Sequence, residues 1–131
     1  MNYLKAFSAG LVVPSIVLPI LLFAARESGK TQILNILFLH FIPLIWGIWN
    51  VFYVEFLKNI IPGNRNVRIF LTGAILGLLV VAAGVYWLNI PVILDLPQYL
   101  HYVPLIVGPI LYGILWLLAV KPLNDLLGVQ E

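Results

Sequence analysis

Four apolar runs fill this chain, at residues 7–25, 37–57, 69–88 and 99–120. Each has about the ~20 residues that carry a helix across a bilayer. A soluble domain needs a charged surface, yet only 9% of these 131 residues are charged and 63% are hydrophobic. Lipid is then the solvent, and each run must satisfy its own backbone hydrogen bonds as helix. The expected fold class is all-α: an integral membrane four-helix bundle, one transmembrane domain over residues 1–131.

Part of the chain occurs twice. Leu39-His40-Phe41-Ile42-Pro43-Leu44-Ile45-Trp46-Gly47 is matched by Leu100-His101-Tyr102-Val103-Pro104-Leu105-Ile106-Val107-Gly108, with six of nine positions identical at a constant offset of 61. Phe7-Ser8-Ala9-Gly10 resembles Phe70-Leu71-Thr72-Gly73 more weakly, at an offset of 63. The repeating unit is therefore a helical hairpin, with units of about 1–60 and 61–131. A hairpin returns to its starting side, so two in tandem predict a pseudo-two-fold along the membrane normal.

Lys5, Lys58, Arg65, Arg68 and Lys121 fall on one predicted side, and only Arg26 and Lys30 on the other. The positive-inside rule then puts both termini in the cytoplasm. The first run follows Lys5 like a signal peptide, but Phe23 or Leu22 would occupy the −3 position of a cut after Ala25 or Ala24. It is expected to be retained. The third connection, residues 89–98, is apolar and broken by Pro91 and Pro97. It is expected to lie along the membrane surface, flanked by an aromatic belt of Tyr86, Trp87, Tyr99 and Tyr102.

Several chemistries lack their residues. There is no cysteine, hence no disulfide or thiolate site. A net charge of +2 without a dense basic run offers nothing to nucleic acid. No carboxylate sits mid-run to couple transport to protons. The sequence contains no Ser-His-Asp set, metal-ligand cluster or phosphate-binding loop, so no catalytic residue, metal or cofactor is assigned.

The candidate ligand-binding residues are His40, His101, Asn50, Trp46 and Tyr53. His40 and His101 lie seven residues before Gly47 and Gly108, nearly above them on a helix. Two such faces could meet in a pocket, and paired imidazoles could hold haem or a metal. The favoured alternative is that each His bonds a loop carbonyl or a lipid phosphate. Asn50 is the deepest strongly polar residue, and its amide needs a partner. Trp46, Trp49 and Tyr53 form a stripe suited to packing or to an apolar ligand.

Gly73, Gly77 and Gly84 line one face of the third helix, for packing against helix 1 or for a dimer seam. Gly47 and Gly108 are also read as packing positions, and Glu55–Lys58 as an i,i+3 pair. The functional expectation is a non-enzymatic membrane protein acting through helix contacts, as an oligomer, subunit or assembly factor. Its partners are membrane lipid and itself or another membrane protein. Alternatives are a dimeric carrier or passive pathway for an apolar or weakly polar molecule or lipid, and a haem- or metal-binding subunit using His40 and His101.

Overall fold

A computed structural model of the chain describes residues 2–131, and among these it contains helices and no strand. Four long helices dominate. Helix α1 is Asn2–Glu27; α2 covers residues 42–60; α3 is Arg65–Trp87; α4 covers residues 104–126. By length and composition α1, α3 and the segment Gln98–Leu126 containing α4 are long and apolar enough to cross a membrane. Helix α2 carries Asn50, Glu55, Lys58 and Asn59 and is the most polar of the four.

Two helices start later than their apolar runs. The expected helix from residue 37 is interrupted at Phe41: Leu37–His40 forms one separate turn, and α2 begins at Ile42 with Pro43 in its first turn. Likewise α4 begins at Pro104 rather than near residue 99. Proline suits a first turn because the N–H it lacks there would have no intrahelical acceptor. Pro14, Pro19 and Pro109 do lie inside helices.

Three of the helices contain a π turn, at Tyr53–Leu57, Ala83–Trp87 and Trp116–Val120. The extra residue in such a turn rotates the rest of its helix out of phase. This accounts for one departure from the sequence reading. Glu55 and Lys58 form no ion pair among the described residues. Gly84 also leaves the stripe begun by Gly73 and Gly77, facing Ile90 of the third connection instead of α4.

Helices α1 and α2 form one antiparallel hairpin, α3 and α4 the other. A Cβ at Gly10 would lie 2.5 Å from Trp46 O and 3.0 Å from Asn50 Cβ; at Gly73 it would lie 2.6 Å from Tyr112 O and 2.7 Å from Trp116 Cβ. Gly47 sits under the Phe7 ring, and Gly113 under the Phe70 ring. In α1 and α3 these pairs differ by 63, and in α2 and α4 by 66, against 61 for the His-containing motif. The second hairpin therefore packs with α4 slid by five residues, about 7.5 Å at ~1.5 Å per residue. Gly47 and Gly108 are consequently not equivalent in packing: Gly108 faces Val81.

The hairpins meet along aromatic side chains. Trp46 lies 5.1 Å from Tyr112 and 6.0 Å from Trp116, centroid to centroid. Trp49 Nε1 donates to Thr72 O at 2.9 Å. The segments around residues 2 and 130 are joined, Asn2 Nδ2 to Gln130 O at 3.0 Å and Gln130 N to Asn2 Oδ1 at 2.8 Å.

Candidate functional site

The duplicated motif makes the same local structure twice. His40 Nε2 donates to Leu34 O at 2.8 Å, and His101 Nε2 donates to Leu96 O at 2.8 Å. A carbonyl only accepts, so Nε2 carries a proton in both. In each copy the imidazole ties the incoming connection back to the helix start, and the proline three residues later sits in that helix's first turn. The imidazoles are thus engaged with their own connections. They are not brought together over Gly47 and Gly108 as a shared pocket, because those glycines are covered by Phe7 and Val81. Among the described residues no group of three or more His, Asp or Glu is placed to hold a metal.

Between them the two tied connections and α3 line a half-open apolar cavity of about 180 Å³. Phe38 and Leu39 come from the first connection, Leu94 and Leu96 from the third, and Val81 and Gly84 from α3. Gly84 belongs to this wall rather than to a helix interface. A Cβ there would meet only Ile90 Cδ1, at 3.4 Å. Gly73 and Gly77, by contrast, are closed against Trp116, Tyr112 and Gly108 of α4 and not against α1. Lys30 and Asp95 form an ion pair between the same two connections. Beside the cavity runs an apolar groove of about 470 Å³ between α2 and α3, floored by Ile45, Trp49, Leu76 and Leu79. Phe38 and Val80 line both spaces.

The other predicted residues lie elsewhere. Asn50 is fully buried near the end of the bundle where residues 2 and 130 meet. Its Nδ2 donates to Ala6 O at 2.6 Å and to Asn124 Oδ1 at 2.8 Å, while Asn124 Nδ2 returns a bond to Asn50 Oδ1 at 3.3 Å. Asn124 is not legible as a partner in the sequence, where the fourth apolar run ends at residue 120. The only signal is that a buried Asn50 amide must pair with something. Trp46 and Tyr53 are buried in the contact between hairpins, and Tyr53 Oη donates to Glu131 Oε2 at 3.0 Å. Tyr86, Trp87, Tyr99 and Tyr102 are all more than half exposed at the cavity end, where Tyr86 and Tyr102 lie 6.2 Å apart.

Removing either imidazole should loosen its connection. His40→Ala and His101→Ala should each lower stability by about 1 kcal/mol. Amide hydrogen exchange should accelerate around residues 31–40 in the first and 94–101 in the second. Unchanged exchange in both variants would deny the imidazoles this tying role.

No protein-family model, curated protein or solved structure matches the chain.

Proposed function

We propose that this chain is a four-span integral membrane protein of two tandem hairpins, related by an approximate two-fold along the membrane normal. It acts without catalysis, by holding a hydrocarbon chain of a membrane lipid in the cavity between its two His-tied connections. The reading rests on three apolar helices of spanning length and on the exposed aromatic side chains gathered at one end. The joined segments around residues 2 and 130 share a side with Lys5, Lys58, Arg65, Arg68 and Lys121, and this basic excess supports a cytoplasmic placement of that side.

The cavity is the observation that carries the function. Its lining is almost wholly apolar and it is half-open, so a hydrocarbon chain can enter it. In a bilayer the available filler is an alkyl chain, and the groove over Trp49 and Leu79 leads to the space it would fill. No water is displaced when the chain leaves lipid, so its preference for this space rests on closer dispersion contacts with the walls. The expected oligomeric seam loses its motivating feature, because Gly73 and Gly77 are occupied by α4.

A photoactivatable alkyl phosphatidylcholine in vesicles tests this reading. Cross-links should concentrate on Phe38, Leu39 and residues 80–88. Gly84→Leu fills the space and should reduce them about tenfold, the factor that corresponds to losing ~1.4 kcal/mol of contacts, with the melting temperature held or raised. Labelling spread evenly around the helices, or unchanged in Gly84→Leu, contradicts it.

A further inference from the structure

At the opposite end, an open polar cleft of about 530 Å³ is lined by Tyr53, Lys58, Arg65, Arg68, Asp125 and Glu131. We propose that this cleft is a phosphate-binding site, which the Glu131 carboxylate fills in the structure.

The geometry of the Glu131 side chain points to that use. Arg65 Nε donates to Glu131 Oε2 at 3.0 Å and Arg65 Nη2 to Oε1 at 2.9 Å, a two-pronged grip. Tyr53 Oη adds a third bond to Oε2 at 3.0 Å. The planar guanidinium fork fits two oxygens of a phosphate as well as those of a carboxylate. The Glu131 side chain is 14% exposed, so the grip lies inside the cleft rather than on its rim.

Two cations in the same cleft are not used by Glu131. Arg68 Nε is buried and has no hydrogen-bond partner, and neither Arg68 nor Lys58 makes an ion pair among the described residues. A buried donor on a charged group without an acceptor is costly. A carboxylate offers two oxygens, and both are taken. A phosphate offers at least one more, which Arg68 and Lys58 are placed to receive from the cleft walls. Asp125 Oδ1 accepts from the same Nη2, at 2.6 Å, and keeps that guanidinium oriented when Glu131 leaves. Exchange of Glu131 for phosphate therefore keeps the Arg65 and Tyr53 bonds and supplies an acceptor for the orphaned donor.

The same chemistry arises from a lipid headgroup or from a soluble phosphate, and the test separates them. Full-length protein in nanodiscs of phosphatidylcholine is titrated with inorganic phosphate. In parallel, protein from vesicles with and without phosphatidylglycerol is assayed by native mass spectrometry for retained lipid. Glu131→Gln removes the competing charge and should tighten binding about tenfold, while Arg68→Gln and Lys58→Gln should each weaken it by a similar factor. Binding of free phosphate with this ranking assigns a soluble anion, and retention of phosphatidylglycerol alone with this ranking assigns a headgroup. Should Arg68→Gln fail to fold, Glu131→Gln and Lys58→Gln still decide. The proposal is overturned if neither probe binds, or if those substitutions leave binding unchanged.

Discussion

Gly73→Ala should destabilise the protein by about 3 kcal/mol, the upper range for overpacking a close-packed interior. The new methyl carbon would stand 2.6 Å from Tyr112 O and 2.6 Å from Trp116 Cγ. One obstacle is backbone, and the other is the fully buried Trp116 ring, held between α3 and Trp46. Neither swings aside, so α3 and α4 must separate. Gly84→Ala is the control, because its methyl meets only Ile90 Cδ1 at ordinary contact distance. It should be neutral, or stabilising by up to about 1 kcal/mol from helix propensity. Unfolding in mixed detergent and denaturing micelles measures both. Equal effects at the two positions would deny that Gly73 marks a closed helix contact and Gly84 an open wall.

Asn50→Leu should cost about 2–3 kcal/mol, because it strands the buried Asn124 amide and removes the bond to Ala6 O. Interhelical polar contacts in membranes average only about 0.6 kcal/mol. This pair should exceed that average, since both amides are fully buried and bond each other reciprocally. Asn124→Leu should cost a similar amount. The double substitution should cost less than the sum of the two by at least about 1 kcal/mol, since the second change strands nothing new. Strict additivity in this cycle would mean that the amides act independently.

The helices are legible in the sequence because apolar runs of spanning length leave few alternatives in composition or length. The doubled motif is legible as a repeat, and His bonded to a connection carbonyl is among its readings. The local structure that the motif builds is not legible. A place for His40 and His101 above Gly47 and Gly108 assumes one continuous helix from residue 37 and another from residue 99. Pro43 and Pro104 start the helices instead, and the imidazoles turn outward to the connections. The slide of α4 against α3 is hidden for a different reason. It is set by which side chains fit under which glycine, Phe7 on Gly47 but Phe70 on Gly113. Motif spacing does not encode that fit. The partner of Asn50 and the grip on Glu131 escape sequence reasoning because both depend on residues beyond the expected end of α4. Stripe arguments also fail at Gly84, which faces Ile90 of the third connection rather than α4.

The chain has no cysteine, so Ser28→Cys, Asn64→Cys, Gln98→Cys and Gln130→Cys each introduce a single reporter for a membrane-impermeant maleimide. Four crossings place residues 64 and 130 on one side of the bilayer and residues 28 and 98 on the other. Helix α2, with Asn50, Glu55 and Lys58, is the crossing most exposed to this test. If residues 28 and 64 label from the same side, α2 does not cross, and the paired hairpins with the cavity between their connections are wrong.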